Sequence, residues 1–291
     1  MALPVRPRTI VAGLAAGSIG AGLLVSRMSR GVDADANAPK PVFGRGPAFV
    51  SLPLESSEQV NHDTKRLRFS LPNSTDVSGL TLTSAVLTMS WPQGRWFPVA
   101  RPYTPISEIN ENGALELLVK KYPDGKQSTH LHSMKPGDKL LFAAAIRGHQ
   151  WVPNSVPNVT LIAGGAGITP IFQLAQGILQ NPEDKTSVTI VYGVNTNDDC
   201  HLTKEMQRFE NEFKDRFKIV YTVSQPDEKT TLRKGRVTKE LLEEVVPLPK
   251  DGETKVFVCG PPAMESSLVG SRKEKGILEQ LGYRKDQIHT F

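Results

Sequence analysis

The chain has 291 residues, a length typical of two domains. Its apolar content of 38% and charged content of 22% are those of a globular protein and exclude a disordered one. The net charge of +5 is spread thinly, so the sequence does not predict nucleic-acid binding. Two cysteines, Cys200 and Cys259, exclude a disulfide framework, and because no Cys/His cluster accompanies them, the sequence predicts no metal centre.

Residues 1–40 are predicted to be a targeting or membrane-anchor segment with a linker. Residues 9–26 carry no charge and are flanked by Arg6, Arg8, Arg27 and Arg30. As a helix they would extend ~27 Å, barely enough for a bilayer core. The flanking arginines and the lack of acid before Asp33 also fit a mitochondrial presequence, and a secretory signal is disfavoured because no small-residue cleavage site follows. An uncleaved anchor, a presequence followed by an anchor, and a cleaved peptide remain the alternatives.

Residues 41–150 are predicted to form an antiparallel β-barrel domain. Residues 64–71, 81–89 and 114–121 are rich in β-forming residues, and Pro123-Asp124-Gly125 is a turn signal. Since no long amphipathic helix interrupts this pattern, a barrel is the expected architecture.

Residues 151–291 are predicted to form an α/β domain with a doubly wound parallel sheet, because short apolar strands alternate there with helical segments. The predicted strands are residues 159–163, 187–192, 218–223 and 255–259. The predicted helices are residues 170–179, 204–213 and 238–245. The fold class is therefore α+β with two domains, the barrel first.

The glycine-rich turn after the first of these strands is a candidate phosphate site. It reads Gly164-Gly165-Ala166-Gly167 and leads through Thr169 into a helix. Free N–H groups at a helix start attract phosphate, and glycines let the phosphate approach the main chain. The spacing is not that of a standard Rossmann dehydrogenase. A tight turn without a ligand is the alternative interpretation.

A second motif closes the last long strand of the α/β domain. Cys259 is followed by Gly260, Pro261, Pro262 and, after Ala263, by Met264. This arrangement exposes a thiol and main chain at the carboxyl edge of the sheet, where ligands bind in such folds. The alternative is that Cys259 is simply a small buried apolar residue.

The barrel domain carries two further candidates. Arg101-Pro102-Tyr103-Thr104 offers a planar cation, an aromatic face and a hydroxyl, although alone it would be an edge strand. Residues 124–131 form a turn entering a short helix, with Ser128 or Thr129 as the predicted N-cap and a second anion site. One phosphate-binding helix start per domain predicts two dinucleotides.

In this order and spacing the motifs resemble the ferredoxin-NADP reductase superfamily, and within it the NADH–cytochrome b5 reductases of fungal mitochondria. The resemblance covers residues 50–291 and includes residues 61–66, residues 282–287 and the terminal Phe291. It implies FAD as cofactor and NADH as electron donor. Catalysis then consists mainly of positioning two rings for hydride transfer.

The resemblance also implies site residues. Arg101, Pro102 and Tyr103 would hold the FAD phosphate and flank its ring, Thr104 would bond near the reactive flavin nitrogen, and His62 would support Thr104. The further positions matched to FAD are Leu118, Lys120, Lys126, Gln127 and Ser128. Thr169 would touch both flavin and nicotinamide. The positions matched to the nicotinamide cleft are Gly164, Gly165, Ala166, Gly167, Cys259, Gly260, Pro261, Pro262 and Met264. Thr104, His62 and Cys259 are the implied catalytic residues.

The implied function is an NADH-dependent flavin reductase that passes electrons singly to a heme protein such as cytochrome b5. A monomer on the outer membrane or intermembrane-space face of mitochondria is expected. Since such partners are acidic, basic residues are candidates for steering, with ordinary solvated surface as the favoured alternative. These residues are Lys65, Arg66, Arg68, Lys120, Lys121 and Lys126.

Four departures from the family pattern indicate a diverged paralogue. They are residues 144–147 (Ala-Ala-Ile-Arg for a Gly-Pro), Gln127 for Met, Ala166 for Thr, and Ser224 for the Asp of NADH-selective members. Without that carboxylate, discrimination against NADPH should weaken. An alternative function is a flavoprotein factor in mitochondrial cytochrome c maturation. A scaffold that has lost FAD is disfavoured by the intact Arg101, Tyr103, Thr104 and Ser128.

Overall fold

The computed structural model describes residues 39–44, 46–92, 96–247, 249, 253–271 and 273–291. The predicted targeting or anchor segment lies outside these residues, except for Pro39 and Lys40 at its end. Within the described part of the chain, no helix combines the length and apolar character needed to span a bilayer.

The first half of the described chain is an antiparallel sheet with a short helix. Its elements are β1 (Pro47–Gln59), β2 (Thr64–Ser70), β3 (Ala85–Ser90), β4 (Val99–Tyr103), β5 (Ala114–Lys120), α1 (Lys126–Ser133) and β6 (Lys139–Ile146). The strand order is β4-β3-β6-β1-β2-β5. Because β4 and β5 are the edges, this described sheet is a half-barrel, which confirms the antiparallel prediction but not full closure. Its concave side encloses a core that includes Phe69 and Phe142.

The predicted strand at 81–89 begins later than expected. Thr83 adopts a left-handed conformation with φ of 63°, and the Ser84 amide donates to the Thr81 carbonyl at 3.1 Å. These features form a turn, so β3 starts only at Ala85. Turn chemistry therefore overrides the β propensity of the threonines.

The second half is a parallel sheet with helices, as predicted. Its elements are β7 (Asn158–Gly164), α2 (Ile168–Gln180), β8 (Ser187–Val194), α3 (Thr203–Glu212), β9 (Phe217–Val223), β10 (Arg233–Lys234), α4 (Lys239–Val245), β11 (Thr254–Cys259), α5 (Pro262–Val269), α6 (Ile277–Gln280) and β12 (Ile288–Thr290). The strand order is β10-β9-β8-β7-β11-β12. β7 runs between β8 and β11, and from Val159 to Gly164 it is entirely buried. Such continuous apolar strands are typical of sheets covered on both faces.

The two halves pack directly on each other along α2. Gly177 lies so close to Leu82 that a Cβ at this position would come within 2.0 Å of the leucine side chain. The Gln173 side chain donates to the carbonyl of Pro105 at 3.2 Å. Ile106 and Leu118 of the first half belong to the apolar core of the second. These contacts hold α2 of the second half against the first half.

Candidate active site

A cavity of about 1630 Å³ lies between the half-barrel and the parallel sheet. Single small-molecule sites usually measure about 300–1,000 Å³, so this volume has room for more than one such ligand. All the site residues named from the sequence line it except His62. Motifs that are far apart in the chain therefore meet in one place.

The Arg101–Thr104 motif forms the edge strand of the half-barrel and its end. The Arg101 guanidinium donates to the neighbouring Ala100 carbonyl at 2.8 Å, and no described carboxylate pairs with it. Burial, only partly offset by the charge of Arg101, raises the pKa of the half-buried Tyr103 to about 12, so its phenol stays neutral. An unpaired cation, a neutral aromatic ring and the Thr104 hydroxyl thus face one cavity.

The start of α1 forms the second polar wall of the half-barrel. Helix α1 begins at Lys126 with Gly125 as N-cap, so the prediction of Ser128 or Thr129 in this position was wrong. Ser128 lies inside the first turn, where its hydroxyl donates to the Gly125 carbonyl at 3.0 Å and accepts the Tyr122 amide at 3.2 Å. The hydroxyl therefore closes the turn without capping the helix.

Gln127 is fixed from beneath this turn. Its side chain accepts from the Ser90 hydroxyl at 2.5 Å and donates to the Thr88 hydroxyl at 2.9 Å. Gln127 is buried, while Lys126 is exposed at the cavity rim. A polar replacement for the family's Met is thus accommodated because the β3 hydroxyls satisfy the buried amide.

The glycine-rich loop joins β7 to α2 through a short 3₁₀ turn at Gly165–Gly167. Gly165 has a φ of 51° and open space where a Cβ would project. A Cβ on Gly167 would come within 2.2 Å of the Cys259 carbonyl oxygen, and one on Gly164 within 2.5 Å of the Met264 sulfur. Only glycines allow this close approach, which brings the loop main chain and the amino end of α2 to the cavity.

The thiol of Cys259 lies at the end of β11, directly opposite this loop. Burial, reinforced by the Glu265 carboxylate, raises the pKa of Cys259 to about 12. The thiol is therefore protonated at neutral pH and is unsuited to act as a nucleophile. The same Glu265 accepts the Gly260 amide at 3.0 Å and so fixes the turn before α5.

Lys120 connects the two halves at the cavity floor. Its ammonium lies 3.0 Å from a carboxylate oxygen of Asp63 in the half-barrel and 3.1 Å from one of Asp199 in the α/β domain. Burial lowers the pKa of Lys120, but the hydrogen bonds to the two carboxylates outweigh it and leave the pKa raised. Lys120 is thus an interdomain link, whereas the sequence had related it to FAD binding and to the steering of an acidic partner.

His62 is the predicted site residue that the structure places elsewhere. Its side chain is 66% exposed, and the ring lies 3.5 Å from the carboxylate of the neighbouring Asp63. His62, Asp63 and Asp199 approach one another closely enough to hold a metal ion, but the Lys120 ammonium already lies between the two carboxylates. His62 therefore lies outside the set of residues that line the cavity, to which Thr104 belongs.

Several cavity-lining residues were not identified from the sequence. They include Tyr122, His149, His289 and Phe291. The His149 and His289 rings are 4.5 Å apart, and Phe291 is tied to β11 by its amide, which donates to the Val258 carbonyl at 3.3 Å. The similarity of the chain end to the family was the only sequence signal for Phe291, and none existed for the histidines.

Most of the basic residues considered for steering are already engaged. Arg66 pairs with Glu205 and Glu116, and Lys65 donates to the His132 carbonyl at 2.8 Å. Arg68 lies in a group of three carboxylates, Glu55, Glu111 and Glu116. Together with the buried link of Lys120, this leaves Lys121 and Lys126 as exposed lysines of that set. For the other four residues, the structure therefore favours an ordinary role within the protein surface over the steering of a partner.

Comparison with known proteins agrees with this geometry. Residues 51–150 match a family model described as an oxidoreductase FAD-binding domain, and residues 161–269 match an oxidoreductase NAD-binding domain. The cytochrome b5 reductase domain of Ulva prolifera nitrate reductase is similar in structure, with a TM-score of 0.76 and 26% identity. That similarity covers 86% of this chain and 100% of the other.

Curated relatives are more similar in sequence. NADH-cytochrome b5 reductase 2 of Pyricularia oryzae is 45% identical over 268 residues, which is 90% of this chain and 81% of that protein. Its counterpart in Aspergillus oryzae is 43% identical over 288 residues, covering 95% and 89% of the two chains. The chain thus belongs to the NADH-cytochrome b5 reductase family and is an FAD- and NADH-dependent oxidoreductase.

Proposed function

We propose that the protein takes hydride from NADH onto FAD and passes electrons singly to cytochrome b5. The observation that carries this proposal is the shared cavity, where the Arg101–Thr104 strand and the α1 turn face the Gly164–Gly167 loop and Cys259. Each half contributes a helix start or glycine loop of the kind that binds phosphate, so the half-barrel residues would hold one dinucleotide and the α/β residues the other.

The half-barrel residues fit FAD. Arg101 has no described carboxylate partner and is free to bind a phosphate. The main chain at Gly125 and Lys126 begins α1, and a helix start of this kind binds phosphate through its N–H groups. Tyr103, neutral and half-buried, offers an aromatic face, and Leu118 supplies an apolar floor. Bound FAD would supply the chemistry that converts a two-electron hydride donor into single electrons for a heme.

The α/β residues position NADH. The glycine loop would let a pyrophosphate approach the main chain, and the protonated Cys259 thiol would line the site without forming a covalent bond. Thr169 is held at the start of α2, where its hydroxyl donates to the Ala166 carbonyl at 3.3 Å. Since hydride transfer needs no strong acid or base, positioning accounts for the protein's contribution.

The test is anaerobic reduction of the purified protein with NADH, followed by reoxidation with cytochrome b5 or cytochrome c. The expected result is a yellow protein that NADH bleaches and that cytochrome b5 reoxidises rapidly. A folded, colourless protein that ignores added FAD would refute the proposal. Bleaching by NADH with only slow reoxidation by cytochrome b5 would favour the cytochrome c maturation factor instead.

We further propose that residues 1–30 attach a monomeric protein to a mitochondrial membrane, on the outer membrane or intermembrane-space face. The uncharged residues 9–26 between arginine pairs support this proposal. Alkaline extraction and protease protection of isolated mitochondria test it. The full chain should stay in the membrane pellet, whereas release into the soluble fraction would contradict attachment.

A further inference from the structure

The cavity has a second rim, away from the domain boundary, where β8, β9 and β10 end. Its lining residues are Gly193, Val194, Asn195, Ser224, Gly235, Arg236 and Val237. In a doubly wound sheet, the adenosine ribose of a dinucleotide binds beyond the end of the strand next to the glycine-loop strand, which is here β8. The Ser224 amide donates to the Val194 carbonyl at 3.0 Å, so the end of β9 lies against the end of β8. Side chains at this rim would therefore face the ribose 2′ position.

Strand pairing brings the segment that carries Arg236 alongside Ser224, and both residues line the same rim. β9 and β10 are parallel, with Lys234 paired to Val223, and the Gly235 amide donates to the Val223 carbonyl at 2.8 Å. Gly235 is therefore level with Ser224, and Arg236 is the next residue along. The Thr222 hydroxyl donates to the Gly235 carbonyl at 2.8 Å and fixes this segment.

The charges at this rim are unbalanced. Among the described residues, Arg236 is exposed and forms no ion pair, whereas Arg233 on the same segment is paired with Glu244. Two carboxylates line the cavity: Asp124 lies in the half-barrel, and Asp199, which follows β8, is already held by Lys120. None of the rim residues named above carries a carboxylate that would oppose an added negative charge.

We propose that Arg236 and Ser224 bind the 2′-phosphate of NADPH, so that the protein accepts both nicotinamide dinucleotides. A guanidinium binds a phosphate through paired N–H groups. The Ser224 hydroxyl donates its one O–H to the Asn195 side-chain oxygen at 3.2 Å, and by rotating about the Cβ–Oγ bond it would donate to a phosphate oxygen instead. An aspartate at position 224 would instead bind the ribose hydroxyls and repel a phosphate. This inference rests on the proposed use of a nicotinamide dinucleotide.

Binding of fragments tests the site without electron transfer. Calorimetric titration of the FAD-loaded protein with 2′,5′-ADP and with 5′-AMP, in phosphate-free buffer, measures the contribution of the 2′-phosphate. We expect 2′,5′-ADP to bind about tenfold or more tightly than 5′-AMP, as for a charge-assisted contact. Equal affinities would overturn the proposal.

Variants locate the effect. Arg236→Ala should lower the affinity for 2′,5′-ADP about tenfold and leave that for 5′-AMP unchanged. Ser224→Asp should also lower the affinity for 2′,5′-ADP, through repulsion, but should raise that for 5′-AMP, whose free ribose hydroxyls the carboxylate would bind. Lys234→Ala is the matched control, because it removes an equal charge from β10 without lining the cavity. If Arg236→Ala weakened both ligands equally or neither of them, the proposed site would be wrong.

The outcome is separable from that of the reductase proposal. A protein that binds 2′,5′-ADP through Arg236 but is not bleached by NADH or NADPH would refute the reductase and leave this site intact. A protein that is bleached by NADH alone, and binds both fragments equally, would refute this site and leave the reductase intact.

Discussion

The two walls of the cavity are built on different physical principles. The half-barrel wall presents long side chains, with Arg101 and Tyr103 on an edge strand and Lys126 at a helix start. The α/β wall presents mainly main chain, because Gly164, Gly165 and other small residues line it. Side-chain clamps with charged hydrogen bonds hold a ligand tightly, whereas a glycine surface gives shape and few strong contacts. The difference matches a resident cofactor on one wall and an exchanging substrate on the other.

The largest effect is expected at Gly167, in the main-chain wall of the α/β domain. In Gly167→Ala the new Cβ would meet the Cys259 carbonyl oxygen, which is rigid main chain at 2.2 Å, so the loop must shift. Since misplacement of about 1 Å can cost ~100-fold in rate, kcat/KM for NADH should fall by that order. FAD, which binds the other wall, should remain bound. Steady-state kinetics and the flavin absorbance measure the two effects.

Gly44→Ala is the control for this substitution, because a Cβ there has open space around it and φ is not in the left-handed region. It should leave kcat/KM unchanged. If kcat/KM for NADH were the same in Gly167→Ala and in the unaltered protein, NADH binding at the main-chain wall would not depend on close packing. Loss of FAD together with NADH use would show that the walls are not independent.

Arg101 tests the role of side chains in the opposite wall, that of the half-barrel. Arg101→Ala removes the unpaired guanidinium and should weaken FAD binding by about 10- to 100-fold, the value of a charge-assisted hydrogen bond. Affinity for 5′-AMP on the α/β wall should be unchanged. Fluorescence titration of the apoprotein with FAD measures the FAD affinity, and calorimetric titration measures the affinity for 5′-AMP.

Arg101→Lys keeps the charge but loses the planar fork, so it should recover only part of the FAD affinity. Lys135→Ala, on the surface outside the cavity, is the control. An FAD affinity that is unchanged in Arg101→Ala would contradict the proposal that the Arg101 side chain holds FAD.

The smallest expected effect concerns the link between the walls. Lys120→Met leaves Asp63 and Asp199 facing each other without their cation, and should lower the free energy of unfolding by about 1 kcal/mol at pH 7. Burial raises the pKa of Asp199, but hydrogen bonds from Thr196 and Lys120 outweigh it and leave the pKa below 3.8. This ionised carboxylate therefore stabilises the fold above pH 3.8 and stops doing so as the pH falls through its folded pKa.

Urea unfolding at pH 7, 4 and 3 checks this prediction. The difference between Lys120→Met and the unaltered protein should persist down to about pH 4 and shrink only below pH 3.8, where Asp199 begins to take up a proton. Lys121→Met is the matched control, since Lys121 is the exposed neighbour of Lys120. A difference that is constant with pH would mean that Lys120 contributes packing and not charge.

The amino-acid sequence alone determined the two-domain architecture and most of the binding motifs. Strand periodicity, the Gly164–Gly167 turn and the Arg101–Thr104 strand depend on interactions within a few residues, so they can be read locally. Two local predictions were wrong. At Thr83 a turn forms where a strand was expected, and at the start of α1 Gly125 is the N-cap where Ser128 or Thr129 was expected.

Tertiary structure alone decided which side chains meet. Lys120 meets Asp199, His149 meets His289, and Arg236 and Ser224 line one rim only through strand pairing and domain packing. His62, which shares its sequence context with the family, nevertheless lies on the surface beside Asp63. The physical reason is that propensity and turn chemistry act over a few residues, whereas the partners of a side chain depend on how sheets and helices pack.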